Sequence, residues 1–372
     1  RGQDISVTVD GKEVFGYSYD YPAGKLFIPG EAITGDITIK AEEYASRKHE
    51  NTAVGVKTGT DIERFFETAG EASSAVYDAQ SKNYDCYVRF YSDVETSYDR
   101  FRITDGNVTF DFGGFKYTLS NDTPIEVMGS STVTLKNGTV EQSAGDYVVY
   151  VAENSTVILG NDLEVRSSYH NTEDIAYNYG VMAEDGGKII INGAKFTNGA
   201  VSESASGAAS VRISGINSYA EINGGDFSGW IVLEDSNASA KLSGGNFAGI
   251  KFAYTGKKDW FGLLADGYCY KSTAENDRKI SDMFAGDFIL HVSVEKIPDY
   301  ITLKTEETKA DFGYTQSPVF EAQNIESAEY QWYVGKKAID GAENSSYTVP
   351  AGLEPGDYEY VCIANANGIY TP

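Results

Sequence analysis

The sequence predicts an all-β protein built around a right-handed parallel β-helix, and three observations carry that reading. The 372 residues are rich in Gly (39) and Tyr (27) and poor in Pro (8) and Met (3), a turn-forming, aromatic mixture that suits sheets better than helix bundles. Five segments repeat one pattern: two alternating apolar residues, a polar Gly/Asn corner, then a third apolar residue. Ahead of each of the later four lies a further short apolar piece.

The five segments are Val133/Leu135 to Val140, Val157/Leu159 to Val165, Ile189/Ile191 to Phe196, Ala220/Ile222 to Phe227 and Ala240/Leu242 to Phe247. Their corners read Lys136-Asn137-Gly138, Gly160-Asn161-Asp162, Asn192-Gly193, Asn223-Gly224-Gly225 and Ser243-Gly244-Gly245, residues that tolerate the positive φ of a sharp bend. The upstream pieces are Val149–Val151, Val181–Ala183, Val211–Ile213 and Ile231–Leu233. Three short strands per repeat, separated by tight corners, is what one coil of a parallel β-helix requires, with strands pairing coil on coil and like residues stacking inside. An antiparallel sandwich with regularly spaced strands is the alternative, but a sandwich has no reason to repeat one corner chemistry five times.

Read in order, residues 1–44 form a partial β module with alternating strands at Ile5–Val9, Lys25–Ile28 and Ile37–Ile39. Residues 45–100 supply a cap and linker, because an open β-helix end exposes unpaired edges and its own apolar interior. Thr60 and Glu63 have capping-box spacing ahead of Phe65, Phe66 and Ala69, which predicts a short helix from about Asp61 to Gly70, resuming towards Tyr77, and then a strand over Tyr84–Phe90. The β-helix itself spans 101–270, a closing segment and linker 271–297, and a C-terminally truncated sandwich 298–372. Arg1 lies inside a strand pattern and the chain closes on Tyr370-Thr371-Pro372, so a segment of a longer chain is expected.

Two stretches resemble known families. Val108–Leu119 is similar to the opening coil, and Trp260–Tyr270 to the closing segment, of pectate-lyase-like β-helices in large surface proteins of Gram-positive, often gut-dwelling bacteria. Gly113 stands where that family usually has Asn, so the resemblance does not carry an asparagine ladder to this corner. Trp332, Tyr360 and Cys362 resemble the signature of bacterial immunoglobulin-like domains, which implies a core tryptophan and a corner tyrosine. Phe320 occupies the place of the partner cysteine, so Cys362 is expected as a buried, unpaired thiol. The first 43 residues resemble the tail half of another such module. These resemblances imply a secreted, cell-surface or cell-wall location.

The chemistry is mostly exclusion. A formal charge of −25 without a basic run argues against nucleic acid, and against the anionic pectic substrates the fold suggests. Cys86, Cys269 and Cys362 match no zinc spacing and allow one disulfide at most, with Cys86 and Cys269 expected at opposite ends of the rod. His49, His170 and His291 are scattered, and neither an EF-hand loop nor a calcium nonapeptide repeat occurs, so no cofactor and no metal site is expected. No apolar run is long enough to span a membrane. The motif set of polygalacturonase-like enzymes is missing: the nearest piece, Asn171 to Asp174, carries an inserted Glu173, and Arg166 and Arg212 read as single, solvated residues.

What remains is binding. The coils differ in length at one corner, so the long loops Arg166 to Gly180 and Thr197 to Ser210 should project from a single edge, often the binding face of a repeat protein. That edge offers Tyr169, His170, Tyr177 and Tyr179, with Trp230 at the equivalent short corner. Each tyrosine can equally serve to cover a neighbouring coil. The expected function is a non-catalytic, monomeric rod within a larger multidomain chain, a spacer and adhesin-like module for a glycan or a host surface protein. A polysaccharide-degrading lyase or glycoside hydrolase is the alternative.

Overall fold

The computed structural model describes residues 4–10, 12–13, 18–20, 25–30, 33–42, 51–59, 63–167, 179–198, 208–253, 259–273, 284, 287–298, 319–321, 328–335, 337–366 and 368–372. These are predominantly β, with one α-helix at Ala69–Gln80 and one turn of 3₁₀ helix at Phe261–Leu263. Most strands join a single mixed sheet of 24 strands.

Within that sheet, the strands from Cys86 to Phe252 pair in parallel with strands about three further along the chain. The first ladder runs through Cys86–Phe90, Asn107–Asp111, Thr132–Lys136 and Thr156–Leu159 to the opening residues of Lys188–Thr197, Tyr219–Leu233 and Ser239–Phe252.

 The second runs from Val94–Thr96 through Lys116–Leu119, Gly138–Gln142 and Leu163–Ser167 to Phe196, Phe227 and Phe247. The third runs from Phe101–Ile103 through Ile125–Val127, Tyr147–Val151, Tyr179–Ala183 and Ala209–Ile213 to Ile231 and Ile250. The apolar positions of the five sequence repeats fall opposite one another without a slip: Leu135, Leu159, Ile191, Ile222 and Leu242 in one column, Val140, Val165, Phe196, Phe227 and Phe247 in another. Parallel pairing begins earlier than residue 101, since Cys86–Phe90 and Val94–Thr96 already form a rung.

Register follows from burial. In Thr132–Lys136 the side chains alternate between half-buried and buried, so shifting this strand by one residue would expose Val133 and Leu135. The inward residues of all three ladders merge into one core, and each fully buried Val, Leu or Ile contributes about 1.5–3 kcal/mol relative to exposure. The corners between the first two ladders turn through left-handed backbone at Asn137, Gly138, Gly193, Gly225 and Gly245. Gly225 is required there: at φ +126° a Cβ would lie 2.5 Å from the Ala194 carbonyl oxygen. Gly160-Asn161-Asp162 departs from the expectation, because none of the three has positive φ. That connection is one residue longer and turns without it.

Antiparallel strands cover part of each end of the stack. Val54–Thr58 pairs antiparallel with Cys86–Phe90, and Phe288–Lys296 pairs antiparallel with residues Gly245 to Lys251. The capping helix lies later than the sequence predicts. Arg64–Phe66 is a strand paired with Val54–Thr58, and the helix begins after Thr68, whose hydroxyl accepts from the Glu71 N–H. Capping-box spacing thus recurs at Thr68 and Glu71, and strand pairing claims the Phe65–Phe66 segment. The helix turns Ala72, Ala75, Val76 and Ala79, one small-residue face, inward. Below it Phe90, Phe101, Phe110, Phe112 and Tyr117 pack ring against ring. At the far end Phe252, Trp260, Phe261, Tyr270 and Phe284 do the same.

The C-terminal strands form two facing sheets. Phe320 and Tyr347 lie on one, and Trp332 and Tyr360 on the other, with ring centroids 5.6–6.5 Å apart across Phe320–Trp332, Phe320–Tyr360 and Trp332–Tyr347. Trp332 is buried, and its indole N–H donates to the Asn344 carbonyl. Cys362 is unpaired, as expected, but half-buried rather than buried. It sits directly opposite Trp332 on the paired strand. The last strand, Ile369–Thr371, also pairs with Tyr268–Ser272, so this unit is hydrogen-bonded to the end of the stack. At the other terminus Asp4–Val9 pairs antiparallel with Lys12–Glu13 and Ile37–Glu42, burying Val7 and Val9 while Ile37 and Ile39 stay exposed.

Candidate functional site

The connections that vary most in length join the second ladder to the third. Ser167 and Tyr179 bound one long connection and Asn198 and Ala208 another, whereas Tyr219–Leu233 and Ser239–Phe252 run through the same corner as continuous strands. Of the residues the sequence places at this edge, Tyr169, His170 and Tyr177 lie outside the described residues.

Tyr179 and Trp230 are described, and neither is solvated: Tyr179 is 8% exposed and Trp230 fully buried. Both belong to one register column, Tyr147–Tyr179–Ala209–Trp230–Gly249, which forms a separate small core on the third ladder with Val232 and Leu290. Gly249 makes room for the indole, since a Cβ there would strike the Trp230 ring. Phe288 meets that ring edge-on at 5.6 Å, and the Lys251 ammonium lies 5.3 Å from its centroid. Tyr147, Tyr179 and Ala209 share the parity of the inward Val149, Val181 and Val211 yet pack with Trp230 apart from the main core, where neighbouring rungs stack large rings on one another and the ladder bulges between Ala209 and Val211.

A second column on this ladder reads Tyr150–Met182–Arg212–Val232–Lys251. Together the columns place aromatic rings and fixed charges side by side. Tyr147 stacks on Tyr179 at 5.4 Å and approaches Tyr150 at 5.7 Å. The Arg212 guanidinium lies over the Tyr179 ring, 4.7 Å from its centroid, and grips both Glu234 carboxylate oxygens, with Nε donating to Oε2 at 2.7 Å. Arg212 is therefore held in a pair rather than solvated as the sequence suggests. The Tyr150 hydroxyl donates to Glu184 Oε2 at 2.9 Å.

Burial and hydrogen bonding shift several titratable groups on this face. Burial and the hydrogen bond to Glu184 push the Tyr150 phenol well up, and burial raises Tyr147. Burial alone would lower Arg212, but its pairing with Glu234 outweighs that and holds the guanidinium charged. Lys251 is lowered by burial, with Glu234 opposing the shift. The half-buried Tyr147 and Tyr150, beside Glu184 and Glu234, present ring faces for stacking and carboxylates that accept hydroxyl hydrogen bonds. Tyr147, Tyr150 and Arg212 were missed at this site by sequence reasoning that looked only at the loops; the register of the upstream apolar pieces carried the signal.

Elsewhere the charges pair locally. Glu164 receives Thr197, Arg166 and Lys195, and these contacts hold its carboxyl below the usual range against burial, which raises it. Among the described residues no three His, Cys, Asp or Glu side chains gather as a metal-binding group. No protein-family profile, curated protein or solved structure matches the chain.

Proposed function

We propose that this chain is a non-catalytic segment of a bacterial cell-surface or secreted protein, a stiff spacer that also carries a binding face. In this reading the three ladders wind as a right-handed parallel β-helix of the pectate-lyase-like kind. The facing C-terminal sheets are an immunoglobulin-like module, and the N-terminal sheet part of another. The observation that carries the proposal is the parallel register of the three ladders, interrupted in the third by a bulge between Ala209 and Val211, with antiparallel strands on Cys86–Phe90 at one end and on residues Gly245 to Lys251 at the other. Such a stack advances about 4.8 Å per rung, and the antiparallel strands on Cys86–Phe90 and on residues Gly245 to Lys251 cover edges that could otherwise fray or pair with a stranger. Pairing between Tyr270 and Tyr370 continues the hydrogen bonding into the C-terminal unit, which suits a load-bearing joint.

The outer face of the third ladder supports the binding half of the reading, because Tyr147 and Tyr150 offer rings beside fixed carboxylates, a surface suited to a neutral glycan or a protein loop. A glycan and host-protein array probed with the full chain, together with the Tyr147→Ala/Tyr150→Ala double variant, tests it. Binding that the double variant loses supports an adhesin. An array without hits leaves the spacer alone, and release of soluble sugar from a polysaccharide panel would overturn the non-catalytic reading.

A further inference from the structure

At the end of the second ladder three polar side chains stack in the apolar interior. Gln142 and Ser167 are register partners, and Asn198 follows Thr197, the partner of Arg166, so it occupies the next place in the column. All three have the inward parity of Val140, Val165 and Phe196, and they are 0%, 4% and 1% exposed. Both amide atoms of Gln142, both of Asn198 and the Ser167 hydroxyl find no hydrogen-bond partner among the described residues. Asn198 uses only its backbone N–H, which donates to the Ser228 hydroxyl at 3.0 Å.

A second polar column in the same stack shows that this is not how the fold ordinarily treats such residues. Ser131, Ser155 and Ser218 are equally buried at the corner leading into the first ladder, yet each hydroxyl is engaged. Ser131 donates to the Met128 carbonyl, Ser155 accepts from the Ser131 N–H, and Ser218 accepts from the Gly186 N–H. Buried polar groups are nearly always satisfied by protein or by ordered water, and two primary amides with a hydroxyl between them supply both donors and acceptors.

We propose that the Gln142–Ser167–Asn198 column is a water-binding site, a short file of long-lived internal water that bridges successive rungs. Two to four polar contacts hold a buried water, and this column offers them at each rung. The file lies where the chain leaves the ladder at Ser167 and Asn198, so it anchors the roots of the two longest connections between rungs. The glycines nearby have close neighbours of the same column: a Cβ at Gly145 would lie 2.5 Å from Gln142 Nε2, and one at Gly180 would lie 3.2 Å from Asn198 Nδ2.

Oxygen-17 magnetic relaxation dispersion on the full chain counts waters with long residence times. The proposal expects such waters in the parent protein and fewer in the Gln142→Leu and Asn198→Leu variants, with Ser131→Ala unchanged. A crystal structure of the parent protein, refined with ordered solvent, decides the matter even if the leucine variants do not fold. Water within hydrogen-bond reach of the Gln142 and Asn198 amides supports the proposal. Amides bonded directly to one another or to the backbone, with no water between them, overturn it, as does an unchanged water count in folded leucine variants.

Discussion

Phe227 is the middle ring of a three-ring stack that crosses successive rungs. Its centroid lies 4.9 Å from Phe196 and 4.9 Å from Phe247, with interplanar angles of 20° and 4°, and it is 3% exposed. Truncation to alanine removes a buried phenyl group, which costs about 3–5 kcal/mol through lost transfer energy and the cavity left behind. Each stacked aromatic contact adds about 0.5–1.5 kcal/mol beyond buried area, and Phe227→Ala loses two of them. Phe196→Ala loses one, because its other register neighbour is Val165. Measured Phe→Ala losses already include such contacts, so two of them place Phe227→Ala towards the upper end of that range, at about 4–5 kcal/mol, with Phe196→Ala about 1 kcal/mol less. Urea unfolding followed by circular dichroism measures the difference, and hydrogen exchange at Phe196 and Phe247 locates it in the adjoining rungs. A loss below about 1.5 kcal/mol for Phe227→Ala, or equal losses for the two variants, would refute the stacked column.

Gly225→Ala should destabilise the protein by more than about 1 kcal/mol, since φ +126° and the Ala194 carbonyl both oppose a Cβ; thermal melting reads the loss, and an unchanged midpoint speaks against the corner geometry. Thr68→Ala should cost about 1 kcal/mol and loosen the helix amides selectively, which hydrogen exchange at Glu71 and Ala72 detects. Burial pushes the Cys86 and Cys269 thiols up to about 11 and Cys362 up to about 12. A thiol reagent at pH 8 should accordingly react slowly with the native chain and with all three cysteines after denaturation. Asp235 and Asp111 are raised by burial but lowered further by the hydrogen bonds they accept, Asp235 from three backbone N–H groups and Asp111 from Tyr87, Gly113 and Asn137. Their folded values lie below their unfolded ones, so the stability they provide is present above about pH 4 and is lost as pH falls through the folded values. The Asp235→Asn variant should flatten that acid limb of the stability profile.

The ladder register was legible because it is written in period-two alternation and in corner glycines, and the apolar positions of all five repeats pair as the sequence spacing implies. The capping helix was misplaced by local chemistry. Two segments carry capping-box spacing, and only the antiparallel pairing of Arg64–Phe66 with Val54–Thr58 decides between them. The corner amides were underestimated for a related reason. Gly113 lacks a side chain, but Asn137 reaches back to Asp111 at 2.9 Å, and farther along Asn223 donates to Asn192 while Ser243 donates to Asn223. Trp230 looked like a short-corner aromatic, yet its strand runs straight through that corner and points the ring into the column beside Gly249. Nothing in the sequence around Trp230 announces a glycine nineteen residues on as its partner.

The most direct test of the stacked account is a set of distances along one outward column. Thr109, Thr134, Ile158, Ile190, Glu221 and Lys241 are successive register partners on the first ladder. Spin labels at Thr134→Cys with Lys241→Cys, and at Thr109→Cys with Lys241→Cys, in a chain whose three native cysteines are replaced, span four and five rungs. At about 4.8 Å per rung the backbone separations are about 19 Å and about 24 Å, and electron double resonance should show the second pair longer by one rung. Equal separations, or a Thr134–Lys241 distance well beyond about 30 Å, would contradict the parallel stack.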